Sequence, residues 1–421
     1  MNQGEFERLW AAAQSGQTLA QEKLADLFAS ADRPHEARQW LMRSAAGGQQ
    51  SAVTRLGLWE IVGFGGTQDI AKGLSRIIAC ADAGLADAAH AASILYGGGV
   101  GAPRDSREGL RRLVQAARLG HVRAAAQLGL LIGPDRPDGA ALLRSAANSG
   151  STVAMYALGR ALVDQVEAQA WLAAAAAAGH PLAPRLAPGS FTLPEVCEEL
   201  DWNRLVDATD FAWVEQPFER CVECEDPRIE SISRFLPLWV CDYLIGMAAP
   251  KLLRGKVVDE GGGESVREER SNAVMNFGLA DSDFLLELVN LRTARAVEMP
   301  PENAEGLGVL HYLPGESYAP HSDFIPDTPA NAAQLAARGQ RARTLLVYLN
   351  EQFTGGETAF PMLDLQFKPP TGAALTFHNV DAKGQASPRT LHAGRPPTSG
   401  EKWLISKWFR TRPLRPGPSK H

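Results

Sequence analysis

Cysteine is scarce in this chain: five residues, at 80, 197, 221, 224 and 241, are spread over 421 positions. So odd and thin a set argues against a secreted disulfide framework and for a reducing compartment. An excess of basic charge is also missing. Lys and Arg total 42 against 48 Asp and Glu, a formal net charge of -6, which offers no broad positive surface to nucleic acid or an anionic membrane. Long apolar runs are lacking too, since the longest, around Ala173 to Ala178, is far too short to span a bilayer. The opening decapeptide MNQGEFERLW carries acidic residues where a secretory leader needs a basic start and an apolar stretch. Neither nucleic acid nor membrane is expected as a partner, and the expected location is the cytoplasm.

What the chain has is bulk. With 45% apolar residues it can bury a sizeable core and divide into two or three domains. Cys221-Val-Glu-Cys224 has the spacing of half a zinc site, but no second C-x-x-C or H-x-x-x-H supplies the remaining ligands. Both are read as plain cysteines.

The N-terminal half repeats itself. Gly16, Gly48, Gly84, Gly120, Gly150 and Gly179 fall 32, 36, 36, 30 and 29 residues apart. Alanine stands three residues before each (Ala13, Ala45, Ala81, Ala117, Ala147, Ala176) and four after each (Ala20, Ala52, Ala88, Ala124, Ala154, Ala183). Seven before comes Leu9, Leu41, Ile77, Leu113, Leu143 or Leu172. This is helical register around a close-packed turn, with glycine where a helix ends and alanines where helices approach. A helix pair cannot bury its apolar face alone, so such units stack into a solenoid with a concave surface. Cys80 fills a slot held elsewhere by Ala12, Ser44, Ala116, Ala146 and Ala175, so it reads as small core filler. The pattern resembles Sel1-like repeats, relatives of the tetratricopeptide repeat, over roughly residues 5 to 187. The resemblance implies binding of a partner protein; a rigid platform fits the same pattern.

The breaker cluster Ala187-Pro188-Gly189-Ser190 ends the repeats. The expected organisation is a helical-repeat solenoid over 1–187, a connecting segment over 188–230, a second domain over 231–415 and a tail over 416–421. From Gly306 onward short apolar runs alternate with Gly and Pro punctuation, as in a sandwich or barrel of many strands.

In that half, His321-Ser-Asp323 is followed far downstream by His392 and Lys402. Two imidazoles and a carboxylate can hold one face of a ferrous ion and leave three positions open, the ligand set of non-haem iron oxygenases. In a strand, residues i and i+2 face the same way, so His321 and Asp323 can grip one ion while His392 arrives from a distant strand and the metal clips the sheets together. Lys402, Leu404, Ser406 and Trp408 share one strand face; if that face points inward, a lysine is buried and its ammonium needs a partner.

The stretches Tyr312-Leu-Pro-Gly315-Glu-Ser-Tyr318-Ala-Pro-His321-Ser-Asp323, Arg343-Thr-Leu-Leu-Val-Tyr-Leu-Asn350, Gly355-Gly-Glu-Thr-Ala-Phe-Pro361, Leu391-His-Ala-Gly394 and Gly400-Glu-Lys-Trp403 resemble the prolyl 4-hydroxylase branch of the iron and 2-oxoglutarate-dependent dioxygenases. The resemblance covers about Phe235 to Pro413. It implies a double-stranded β-helix, a jelly roll with supporting helices, and an enzyme that binds Fe(II), 2-oxoglutarate and O2, with L-ascorbate as reductant. It also implies metal ligation by His321, Asp323 and His392. Lys402 would pair with the distal carboxylate of 2-oxoglutarate, Tyr312 would donate to the cosubstrate, and Ser406 and Trp408 would flank it. Asp323 favours hydroxylation over halogenation, because related halogenases carry a small residue there.

For substrate contacts the resemblance points to Tyr318 and Glu305, and to an upstream arginine that is either Arg267 or Arg270. His378, where the family has a large aromatic, is expected to line the pocket and is the alternative distal ligand. Phe324 to Gln340 is either a lid or an ordinary surface connection. The function implied is hydroxylation of prolyl residues in a protein or peptide that the repeats recruit. Another residue, a free small molecule, or a purely binding scaffold are the other readings.

Overall fold

In the computed structural model, residues 2–183, 200–255, 257–258, 264–265, 270–279, 281–381 and 383–414 are described. Arg267, Cys197 and the Ala187 to Ser190 breaker lie outside the described residues.

The N-terminal half is a run of helices: α1 Gln3–Gln14, α2 Thr18–Ser30, α3 Pro34–Ala46, α4 Gln50–Val62, α5 Ile70–Asp82, α6 Ala86–Gly98, α7 Ser106–Arg118, α8 Val122–Ile132, α9 Pro137–Asn148, α10 Thr152–Ala161 and α11 Gln165–Ala177. Their starts follow from helix-end chemistry. Asp69, Asp105 and Asp164 accept hydrogen bonds from first-turn amides of α5, α7 and α11, and prolines open α3 and α9 where no amide donor is needed.

The periodic glycines serve the turn rather than the packing. All six sit at φ between 84° and 92°, which disfavours a side chain, yet a Cβ on any of them would meet nothing within 4 Å. The close approaches fall elsewhere. Gly57 of α4 packs against Ile77 and the Gly73 carbonyl of α5, and Gly97 of α6 faces Gly109 of α7. Glycine is thus needed at the turn by its dihedral angle and between α4–α5 and α6–α7 by its size.

The C-terminal half adds helices α12 Leu205–Ala208, α13 Leu238–Ala248, α14 Phe284–Ala296 and α15 Ala332–Arg338. Its main strands are β1 Glu219–Cys224, β2 Ile229–Ser233, β3 Ala273–Phe277, β4 Leu307–Tyr312, β5 Tyr318–His321, β6 Arg341–Tyr348, β7 Thr358–Phe360, β8 Leu365–Phe367, β9 Ala374–His378, β10 His392–Gly394 and β11 Lys402–Arg410. The large sheet runs β1-β2-β9-β6-β11-β4-β3 and ends on the short strand Leu253–Arg254; the small sheet runs β8-β7-β10-β5. All these pairings are antiparallel, and the two sheets make the jelly roll.

The segment 188–230 is not only a connection. Its last dozen residues supply β1 and the start of β2, which hydrogen-bond along the edge of the large sheet against β9. Cys221 and Cys224 lie on that edge strand, one exposed and one half-buried, with no third metal-capable group beside them among the described residues.

Alternation along the large sheet separates two cores. Leu310, Tyr312, Leu346, Tyr348, Leu375, Phe377 and Leu404 face the interior of the jelly roll. Val309, Leu345, Val347, Ala374, Trp403, Ile405 and Phe409 face the other way and join α13, α14 and the repeats from α4 onward in one continuous core. The junction is specific: Phe284, fully buried at the start of α14, fills the slot that Gly97 and Gly109 leave open. Just beyond it, the Leu285 amide donates to Gln127 of α8. None of the described helices is long and apolar enough to cross a membrane.

Phe284→Ala empties that slot and should cost about 3–5 kcal/mol. Denaturant unfolding followed by tryptophan fluorescence should show a lower midpoint in a single transition; loss of the catalytic half alone would show that the two halves do not share a core.

Candidate metal centre and active site

The site forms where β5 ends and β10 begins. His321 and His392 are direct cross-strand partners, so imidazoles far apart in sequence stand side by side with ring centres 4.3 Å apart. Asp323 follows two residues beyond His321 and turns its carboxylate to the same point. Its Oδ1 lies 3.8 Å from His321 Nε2 and its Oδ2 lies 3.6 Å from His392 Nε2. One ligand atom from each of the three lies within 4.8 Å of the others, the one such cluster among the described residues.

Both rings are held so that Nε2 faces the centre. His321 Nδ1 lies 2.8 Å from the Ala319 carbonyl and His392 Nδ1 lies 3.0 Å from the Thr390 carbonyl. A carbonyl can only accept, so Nδ1 carries the proton and Nε2 keeps its lone pair. Burial, and then the neighbouring His392, push His321 down to about 3, which keeps it neutral near pH 7. Burial alone would push the Asp323 carboxyl up, but the two imidazoles and a hydroxyl donor hold it below its ordinary range. An ionised carboxylate and Nε2 lone pairs turned to one point are what a divalent cation requires.

The hydroxyl belongs to Thr344 of β6, whose Oγ1 donates to Asp323 Oδ2 at 2.7 Å and accepts from Asn379 Nδ2 at 2.8 Å. Both residues are fully buried. The three ligand residues themselves come from the small sheet and its edge. The tie between sheets therefore runs through Asp323 and Thr344 of the large sheet, rather than through ligands drawn from both sheets.

Lys402 opens β11 opposite Tyr312 of β4. Its ammonium is fully buried, 5.1 Å from the centre of the Tyr312 ring and 5.4 Å from that of Tyr348. Among the described residues its one hydrogen bond is to the Gly356 carbonyl, at 2.7 Å. Burial pulls its pKa down to about 7, which Glu357 only partly opposes. Such an ammonium fits an arriving carboxylate.

The remaining expectations divide. The Tyr318 ring stacks on His321 at 3.6 Å, and the Arg270 guanidinium lies 4.6 Å from the Tyr318 ring centre, so these two border the metal centre. Glu305 is half-buried and its carboxylate is committed to two guanidiniums, with Arg341 bonds of 2.7 and 2.9 Å and an Arg410 bond of 2.5 Å. Arg341, which the sequence did not single out, lies 3.8 Å from the Trp408 ring centre, and its charge reaches both Asp323 and Tyr318.

Trp408 therefore belongs with Arg341. At the ordinary rise of a strand it stands about 20 Å along β11 from Lys402 and on the same strand face, with Ser406 about 13 Å along. His378 is a correction. It shares the outward face of β9 with Ala374 and Thr376, beside Arg228, Glu230 and Arg343. The interior position goes to Phe377, whose ring centre lies 4.9 Å from that of His392. The Phe324 to Gln340 segment is anchored at its base: the Gln340 side chain bonds both backbone groups of Ile325, and Arg410 donates to the Gly339 carbonyl.

Thr344 and Asn379 touch no candidate substrate group, yet they orient a ligand. Thr344→Val and Asn379→Leu should each weaken metal binding about 10–100-fold, as loss of an outer hydrogen bond does at other metal sites. Titration with Fe(II) or Co(II) followed by absorbance would measure it; wild-type affinity in both variants would mean that Asp323 is held by other means.

Residues 307–410 match the 2OG-Fe(II) oxygenase superfamily. Prolyl 4-hydroxylase 1 of Arabidopsis thaliana is 34% identical over 201 residues, which cover 44% of this chain and 70% of that protein. Among solved structures, the 2-oxoglutarate complex of a viral collagen prolyl hydroxylase from Paramecium Bursaria Chlorella virus-1 is 28% identical, covering 44% of this chain and 97% of that one with a TM-score of 0.35. A Sel1 repeat protein from Oxalobacter formigenes is 21% identical, covering 42% and 85% with a TM-score of 0.34. The chain belongs to the prolyl 4-hydroxylase group of the 2-oxoglutarate- and Fe(II)-dependent oxygenases, and in it a jelly roll follows a helical-repeat half.

Proposed function

We propose that this oxygenase hydroxylates prolyl residues of a protein or peptide, and that the helical half holds the partner that presents them. The observation that carries the reading is the pairing of a two-imidazole, one-carboxylate cluster with a buried ammonium whose one hydrogen bond among the described residues is to a carbonyl.

His321, Asp323 and His392 would hold Fe(II), and Lys402 with Tyr312 would receive the distal carboxylate of 2-oxoglutarate. When bound with O2, this pair couples decarboxylation of 2-oxoglutarate to succinate with insertion of one oxygen atom into a substrate C–H, and L-ascorbate keeps the iron reduced. The protein's own part is positional. Three ligands on one side leave the opposite side open for cosubstrate and O2. Phe360 and Phe377, packed about His392, keep water from that ligand. Tyr318, held between His321 and Arg270, offers an aromatic wall suited to a pyrrolidine ring. Arg341, held in place by Glu305, brings positive charge to bear on Asp323 and Tyr318.

With Fe(II), ascorbate, 2-oxoglutarate and a proline-containing peptide, the full chain should release succinate and add one oxygen to the peptide. His392→Ala should abolish both; unchanged turnover in that variant would overturn the ligand assignment.

The lysine sets a pH dependence. Lys402 in the cosubstrate-free protein loses its proton as pH rises through about 7, and a bound carboxylate restores it. Affinity for 2-oxoglutarate should therefore be steady below that pH and fall about tenfold per unit above it, with proton uptake on binding. Lys402→Met should bind weakly at every pH, and calorimetry in buffers of different ionisation enthalpy checks both statements.

A further inference from the structure

Where the repeats meet the catalytic half there is a small, partly open cavity of about 90 Å³, remote in the fold from the metal centre. Its walls are α10 and the end of α8 on one side and α13 on the other, closed by the loop that carries His180. Seams between domains are where small-molecule sites tend to occur.

The face that α13 turns to this seam is Trp239, Asp242, Tyr243 and Gly246, at the i, i+3, i+4, i+7 spacing of one helix stripe. Three of the four have an evident structural reason. Trp239 packs edge-on against Trp213, and Tyr243 donates to Asp283 at 2.5 Å. Gly246 leaves room for His180, since a Cβ there would lie 2.7 Å from His180 Nε2. Asp242 has no such reason. Its half-buried carboxylate makes no hydrogen bond and no ion pair among the described residues, although removing a carboxylate from water is costly unless a donor meets it.

The surroundings favour a cation. Tyr156 of α10 lies flat on His180 with ring centres 4.3 Å apart, so Tyr156, Trp239 and Tyr243 give the cavity aromatic walls that attract positive charge. His180 is nine-tenths buried; its Nδ1 accepts from the Leu182 amide, so Nε2 carries the hydrogen, and that N–H has no partner among the described residues and takes no part in holding a cation. Arg160 is the one charged group whose field reaches Asp242; it is exposed at the rim and makes no hydrogen bond to that carboxylate. Burial raises the Asp242 pKa to about 6, so at neutral pH the group is ionised in a place that resists ionisation.

We propose that this seam cavity binds a small amine with an apolar or aromatic body, its ammonium on Asp242 and its body between α10 and α13. The site does not depend on the hydroxylase chemistry. Its occupant would bridge the repeats and the catalytic half directly.

Benzylamine and its neutral counterpart benzyl alcohol separate this from a plain apolar void. Calorimetric titration of the full chain at pH 7.5, a setting about a unit and a half above the raised pKa, should give benzylamine the tighter binding by about tenfold, the worth of a charge-assisted hydrogen bond. Asp242→Asn should remove that advantage while leaving the melting temperature and metal affinity unchanged. Ala161→Leu, which fills the cavity from α10, should remove binding of both probes. Equal binding of the two probes, or an amine preference that survives Asp242→Asn, would overturn the proposal; the first result is expected if Arg160 swings in and neutralises the carboxylate.

Discussion

The catalytic half depends on one register, that of β5 against β10. Because His321 and His392 are directly opposed, the metal cluster exists only if these two strands pair as they do. A slip of one residue would turn one imidazole to the other face of the sheet. The register is braced from outside the strands. Each imidazole is tied by Nδ1 to a carbonyl two residues earlier in its own chain, and Asp323 is tied to Thr344 across the gap between the sheets. Thr344 in turn lies in the strand that joins β9 and β11, the centre of the large sheet. A short, two-ligand pairing at a sheet edge thus inherits the rigidity of a central, largely buried strand of the large sheet.

That rigidity extends to the repeats. A solenoid tethered by a flexible linker would expose its inner face and leave the jelly roll to cover its own sheet. Here α13 and α14 lie between the two, and the outer face of the large sheet shares a core with α4 to α11. Phe284 in the Gly97–Gly109 slot is a side chain of the catalytic half completing a helix crossing of the solenoid. The platform reading of the repeats therefore has direct contacts behind it. The separate core about Trp40, Phe28 and Leu24 in α1 to α4 takes no part in that junction among the described residues.

Which features could be read in the sequence follows from their range. The glycine period was legible because a chain reversal at a helix end requires a positive φ, a local demand that repeats with each unit. The reason for the glycines at 57, 73, 97 and 109 was not, since it lies in a neighbouring helix. His321, Asp323 and Lys402 were legible through strand alternation and motif spacing. The same alternation, applied to β9, places His378 opposite Phe377; family position alone had put the histidine in the pocket. β1 was missed because an exposed edge strand with the burial pattern of Glu219–Cys224 has no apolar alternation to signal it. Arg341, Thr344 and Asn379 act through partners at positions 305, 323 and 344 that only the folded sheets bring within reach.

The two buried lysines of β11 show how a vacancy in bonding can be told from a structural role. Lys402 and Lys407 lie on opposite faces of one strand, and both are fully inaccessible to solvent. Lys407 reaches Asn290 of α14 and the Glu305 carbonyl, each at 2.7 Å, so it joins helix to sheet and is solvated by the protein itself. Lys402 reaches one carbonyl and two tyrosine rings. The cost of burying a cation is the same on either face, but only on the inner face does the protein leave it largely uncompensated. A strand that can satisfy one lysine so fully shows that the deficit at the other is a property of its place, and the inner face of the jelly roll is where a dicarboxylate would enter.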